Sequence, residues 1–371
     1  MDLSTLPVVD QHAHSLLTAE AAARLPLAAA LTEATDPRQV EHTRHSLTYR
    51  RSVSLLAGLL SCEDREDTVL RCRRSLDWTE LTRRCLTDAN LQLILMDDGF
   101  PADESLPLEW HRQFVPVRRI LRLERLAEDI LAASRTFSDF HTRLTAALDN
   151  PPPDVCAFKS IAAYRGGLDF QTASAAGTAA CFEGIRSDVT AGRRVRLVHQ
   201  PLIHFAIELA LSAALRHGFP LQFHTGLGDT DLDLRLANPL HLRPLLEDRR
   251  WADVPIVILH AGWPFCREAA YLAAVYPQVY VDFGLVVPLL SRAGMRSALR
   301  RLLELAPATK ILFSSDAHSV PELYWLGARL GRETVAAVLE ESVHQKELLP
   351  SAAEELAVAI LRDNAHRLYR L

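Results

Sequence analysis

The segment Val8-Val9-Asp10-Gln11-His12-Ala13-His14 joins an apolar run to two histidines one residue apart. Val8 and Val9 read as part of a buried strand near residues 6–11. Side chains alternate along an extended chain, so His12 and His14 point the same way. Two imidazoles on one face, where a strand opens into a loop, make half of a metal site. A neutral imidazole nitrogen is a good ligand for Zn²⁺ and its neighbours. Taken alone, the pair fits two solvent-facing histidines better than a metal site, and the sequence downstream has to decide.

The chain has 371 residues, enough for one large α/β domain with insertions or two ordinary ones. With 49% hydrophobic and 23% charged residues, it can bury a sizeable core. A net charge of −5 leaves no electrostatic footprint for nucleic acid. Arginines are interleaved with acids, as in Arg65-Glu66-Asp67 and Glu247-Asp248-Arg249-Arg250, which read as solvated faces. The six cysteines form no Cys-x-x-Cys pair, so neither a zinc knuckle nor a thioredoxin-like motif is supported. Scattered thiols and a start without a basic, apolar leader point to a reducing, cytoplasmic setting. No apolar stretch is long enough to span a bilayer, and no membrane role is expected.

After His14 the pattern turns helical and stays so, predicting a helical insertion over residues 15–90 between the first and second strands. From Leu91 short apolar runs alternate with helical spacing. Strands are placed near 91–96, 115–121, 155–160, 220–224, 254–259, 278–283 and 310–315, with one helix spanning 126–148. Eight strands in a β-then-α rhythm predict a parallel sheet closed into a (β/α)8 TIM barrel, with residues 1–371 as one domain. A doubly wound open sheet would want a Gly-rich phosphate loop after an early strand; Gly226-Leu227-Gly228-Asp229 comes late and lacks the third glycine.

In such a barrel the site lies at the C-terminal ends of the strands. There the sequence places Phe158-Lys159-Ser160 followed by Tyr164-Arg165, then Phe223-His224-Thr225, Leu259-His260-Ala261 and Ser314-Ser315-Asp316. One histidine ending an apolar strand is usually a satisfied structural residue. Histidines or an aspartate ending strands one, five, six and eight converge on one place.

This pattern resembles the amidohydrolase superfamily of metal-dependent barrel hydrolases. It is most similar to the branch that includes the N-terminal domain of FluG-type, nodulin/glutamine-synthetase-like proteins. The stretches that carry the likeness are Phe158–Leu168, the run from His224 to Pro239, His260-Ala261-Gly262-Trp263-Pro264 and Ser314-Ser315-Asp316-Ala317-His318. The resemblance implies that His12, His14, Asp316 and His224 hold a divalent metal, zinc in the first instance, with Mn, Fe or Ni as alternatives and one ion or two. It implies that Lys159 sits where many relatives carry a carboxylated, metal-bridging lysine. The alternative for Lys159 is a cation paired with a substrate carboxylate or with Asp316. His260 becomes a ligand of a second metal or a hydrogen-bonding group beside the reacting oxygen.

Such ligands leave a position for water, whose pKa the ion lowers. Asp316 can then take its proton and pass it to a leaving nitrogen, while His260 stabilises the oxyanion. Tyr164 and Arg165 are candidates for gripping an anionic group, since arginine binds carboxylates bidentately. Asp229, Asp231 and Arg235 lie in the loop after the fifth strand and are candidate substrate contacts; a solvated helix start is the competing reading. Asp97 and Asp98 end the second strand and fit a turn cap. The expected activity is hydrolysis of a C–N, amide-type bond in a small carboxylate-bearing substrate, a γ-glutamyl-type amide in the neighbourhood of the resemblance. Decarboxylation, uronate-type isomerisation and a non-catalytic scaffold remain as alternatives. A small molecule is the expected partner, and a homo-oligomer stays open.

Overall fold

The computed structural model describes residues 1–100, 104–170, 175–190 and 195–371. Eight parallel strands run in sequence order around a barrel. They are β1 (Val8–His14), β2 (Leu91–Asp97), β3 (Val117–Arg122), β4 (Val155–Ser160), β5 (Leu221–Phe223), β6 (Ile256–Ile258), β7 (Val279–Asp282) and β8 (Ile311–Leu312). Each pairs in parallel with its predecessor. The seam between β8 and β1 is closed by backbone bonds in which Gln11 N donates to Phe313 O, Asp316 N to His12 O and His14 N to Ala317 O.

The expected strand positions hold, with shorter cores in β5, β6 and β8. One difference matters for the site. The first strand was placed over 6–11 with the histidines in a loop; it runs from Val8 through His14. The seam bonds and the pairing with β2 keep this chain extended. A register shift between Asp10 and Ala13 marks a bulge at Gln11–His12. The bulge re-aims side chains as such features do: Gln11 bonds Asp282 and accepts from Tyr369 in the barrel interior, and His12 reaches Lys159 and Asp316.

Between β1 and β2 stand the short helices Ala19–Arg24, Leu27–Leu31 and Pro37–Thr43, then Leu47–Leu59, Glu66–Ser75 and Trp78–Ala89. The expected single helix over 126–148 is two, Leu123–Ala133 and Phe137–Asp149. The break comes where Ser134 turns extended and Thr136 caps Asp139 N, a side chain competing for the backbone as N-caps do. The helix after β6 begins at Cys266, beyond Trp263 and Pro264 and after a left-handed turn at His260–Gly262.

Two apolar regions result. The larger lies between the barrel wall and the surrounding helices. The smaller fills the barrel: Val9, Leu95, Ile120, Val257, Leu259 and Leu312 meet Leu368 and Tyr369 from the helix Asn364–Tyr369. Tyr369 Oη also accepts from Gln222 Nε2 at 2.8 Å, so the lower end of the barrel is plugged, although Gln222 Oε1 has no partner among the described residues.

Candidate metal centre

Strand order determines which side chains meet. His12 and His14 come from β1, Asp97 ends β2, Arg122 ends β3, Lys159 lies near the end of β4, and His224 follows β5. His260 follows β6, Asp282 ends β7 and Asp316 follows β8. All sit at the same end of parallel strands. They surround the floor of a cavity of about 490 Å³ whose walls include Glu33, Phe100, Tyr164, Arg165 and His318. His14, Lys159, His224 and Asp316 reach the cavity surface; His12 and His260 are fully buried at its base.

Asp316 Oδ1 lies 3.1 Å from His12 Nε2 and 3.3 Å from His14 Nε2. Nδ1 of His14 lies 3.0 Å from the carbonyl of Asp97, and donating there leaves its Nε2 with a lone pair aimed at Asp316. Lys159 Nζ stands 2.8 Å from His12 Nε2 and donates to it. Asp316 Oδ1 is therefore a buried carboxylate oxygen facing two acceptor nitrogens, and no hydrogen-bond donor points at it. Such a convergence of lone pairs is repulsive unless a cation lies between them. The donor set, two imidazoles and a carboxylate, fits a divalent ion.

The protonation pattern agrees. Burial and the nearby Lys159 ammonium hold His12 well below the usual imidazole range, and burial with His260 and Lys159 does the same for His224. Burial would raise Asp316, and positive charge on His260, with protons on His12 and His14, would outweigh it and hold the carboxyl well below its ordinary value; with those rings neutral, a cation among them does the same work. Burial brings Lys159 down to about 8 against the pull of Asp97 and Asp316. At neutral pH His12 and His224 are thus neutral rings.

Asp97 also clusters with His12 and His14, all three buried and offering ligand atoms within 4.8 Å of one another. Its carboxylate is engaged elsewhere: Arg122 Nη2 and Nε reach Oδ2 at 2.6 and 2.9 Å. We therefore read Asp97 as the residue that orients His14, through its carbonyl, and Asp316 as the carboxylate that faces the ion. Outer-sphere partners of this kind fix ring orientation in metal sites.

His260 does not reach the cavity. Its backbone N donates to Asp282 Oδ1 at 2.6 Å, and its Nε2 is 3.0 Å from His224 Nδ1. His224 Nε2 in turn lies 2.9 Å from Leu227 O, so both nitrogens of His224 have protein partners. His260 and Asp316 both hold left-handed backbone, φ 65° and 53°. Such conformations in non-glycine residues cost about 1–3 kcal/mol each and gather at functional sites. The loop after β5 is pressed so closely on the β6 loop that a Cβ at Gly226 would lie 2.2 Å from Trp263 O.

Other expected residues divide. Tyr164 packs its ring 4.5 Å from that of His224. Arg165 lines the cavity and pairs with Glu128 at 3.5 Å. Asp229 and Asp231 line its mouth, Asp231 with Arg196 at 2.9 Å. Arg235 is not brought to the site. Its side chain is 88% exposed and forks onto Asp233, two residues away, so local pairing holds it in solvent. Sequence reasoning passed over Glu33, Arg122 and His318. Arg122 ends a half-buried strand that also carries Arg118 and Arg119, so nothing in the sequence singled it out. His318 stood inside a quoted motif, and Glu33 had no signal.

Comparison with known proteins follows from this geometry. Residues 187–371 match the amidohydrolase family model. Protein FluG of Emericella nidulans is 32% identical over 404 residues, an alignment that takes in the whole of this chain. The chain belongs to the amidohydrolase family. This amidohydrolase spans less than half of that relative, 46% of its length. A Lactobacillus casei protein, described as a "putative metal-dependent hydrolase", superposes with a TM-score of 0.87 at 28% identity, covering 100% of this chain and 97% of that one. Uronate isomerase of Thermotoga maritima shares the fold at a TM-score of 0.69 and 15% identity, with 99% and 95% covered. Among the described residues of the amidohydrolase, no helix is long and apolar enough to cross a membrane.

Proposed function

We propose that this amidohydrolase is a metal-dependent enzyme that hydrolyses a C–N, amide-type bond in a small carboxylate-bearing substrate. The observation that carries the reading is the donor-free Asp316 Oδ1, buried against the Nε2 atoms of His12 and His14. The relation to a metal-dependent hydrolase at 28% identity over the full chain supports it. His12, His14 and Asp316 would hold the ion, zinc being the first candidate, with Lys159 and His224 within reach of the same floor. A bound divalent ion acidifies water and polarises a carbonyl.

The chain's own residues supply the rest. Asp316, ionised at neutral pH, accepts a proton from the attacking water and returns it to the leaving nitrogen. His224 faces the cavity and is oriented by His260 behind it, so the ring nearest the reacting oxygen is His224. The Tyr164 phenol, held protonated chiefly by burial, can donate from the same wall. Arg165 offers a guanidinium to a substrate carboxylate. The experiment is elemental analysis of the purified protein followed by a screen of N-acyl and γ-glutamyl amides, before and after chelation. The expected result is a near-stoichiometric divalent ion and amine release that stops on chelation and returns with metal. Amine release indifferent to chelation would overturn the proposal.

A further inference from the structure

The helical insertion puts one side chain into the cavity for which the proposed chemistry has no use. Glu33 lies between the helices Leu27–Leu31 and Pro37–Thr43 and lines the cavity wall. It is half-buried there, with its side chain against the cavity. It makes no hydrogen bond or ion pair with any described residue. A half-buried carboxylate in a cavity wall with no protein cation beside it has water as its partner, and a cationic ligand group can take that place. The segment that carries it is anchored: Ala34 N donates to Thr32 Oγ1 at 3.2 Å, and Thr35 Oγ1 lies 3.4 Å from Thr230 Oγ1 in the loop after β5.

The cavity is electrically divided. Burial first, and then the acidic Asp316 and Asp229, push the Glu33 carboxyl up to about 8, so it keeps its proton until a cation beside it draws that proton off. The charges acting on Arg165 are Glu128, Arg196, Glu124 and Arg122. Arg122 is spent on Asp97. An ion held by Asp316 would offset that charge and leave Glu33 and Asp229 without a counter-ion. One part of the wall thus lacks a cation, while another part offers a guanidinium.

We propose that Glu33 is a specificity-determining residue that binds an ammonium group of the substrate, so that the preferred amides carry both an ammonium and a carboxylate, as short peptides and γ-glutamyl amides do. The inference rests on the hydrolase reading of the site, but its test is one of binding. Glycyl-L-alanine and propionyl-L-alanine share an amide and a carboxylate and differ by an ammonium in place of a methyl. Calorimetric titration of the metal-loaded protein with each is compared between wild type and Glu33→Gln. The wild type should prefer glycyl-L-alanine by roughly 10-fold or more, the worth of a charge-assisted hydrogen bond. Glu33→Gln should bring the ratio to within about 2-fold, and Glu33→Asp should retain part of it. A wild type without the preference, or a Glu33→Gln protein that keeps it, overturns the proposal. If the preference behaves as expected and neither amide is hydrolysed, ammonium recognition stands and the hydrolase reading fails instead.

Discussion

Two carboxylates face His14, and the structure gives them different work. Exchanging each for its amide separates the roles. Asp316→Asn keeps the side-chain shape and one oxygen near the two Nε2 atoms, at 3.1 and 3.3 Å in the wild type, but removes the base. A positioned acid–base group is worth roughly 10²–10⁴-fold in rate, or about 2.7–5.4 kcal/mol of barrier at 1.36 kcal/mol per decade. The loss should fall on kcat more than on KM, since the proton transfer belongs to the transition state. Removing a charge from a buried site where no donor points at it should leave folding intact. Asp97→Asn does the reverse. It leaves the Arg122 guanidinium, whose side chain is only 12% exposed, without the partner it holds at 2.6 Å. Stranding one member of a buried ion pair costs about 3–5 kcal/mol, so the denaturant midpoint should fall clearly. The assay is kcat and KM on the best amide, with metal content and unfolding curves for both variants. A folded, metal-loaded Asp316→Asn protein with near-wild-type kcat would refute the assignment of the base. If Asp97→Asn kept wild-type stability and lost all bound metal, the two carboxylates would have to exchange roles.

Three further outcomes are expected. His12→Ala with His14→Ala should strip the ion, read by elemental analysis, because two of its few protein ligands go at once. Arg165→Lys should weaken carboxylate-bearing substrates more than neutral analogues, lysine lacking the planar fork; equal kinetics on both would assign Arg165 to its contact with Glu128. Burial raises Asp282 from 3.8 to about 7, although Ser314 and the His260 backbone N–H donate to it. The folded protein thus holds a proton that the unfolded chain has released, and stability falls as pH rises from about 4 to about 7. Asp282→Asn should make that slope shallower by up to about 1.4 kcal/mol per pH unit, measured by denaturant unfolding at several pH values; an unchanged slope would show the carboxyl ionised throughout.

The barrel was legible because its code is local. Each apolar run is short, each is followed by helical spacing, and the polar residues end the runs. His12, His14, Lys159, His224 and Asp316 could be named for that reason: parallel strands bring all their ends to one side. What was not legible depends on three-dimensional neighbours. The bulge at Gln11–His12 comes from the seam and the β2 register, which lie far along the chain. That His260 stands behind His224 depends on a left-handed turn and on Asp282 across the barrel. Arg235 and Arg165 look equally apt as anion binders in the sequence. One finds Asp233 beside it in solvent, and the other is folded into the wall. Glu33 lies in a helical insertion whose path over the strand ends has no signature in spacing or periodicity.

The seam has a consequence for how the molecule comes to be active. His12 and His14 ride on the first strand and Asp316 on the last, and the bonds that seal the barrel join these same segments: Asp316 N to His12 O, and His14 N to Ala317 O. No partial assembly of the intervening strands can bring the three side chains together. A chain with most of its helices formed but its wall unzipped has no ligand triad, so it is chemically silent. On the proposed ligand assignment, reactivity would switch on in the same event that completes the circle, and metal retention would report finished folding.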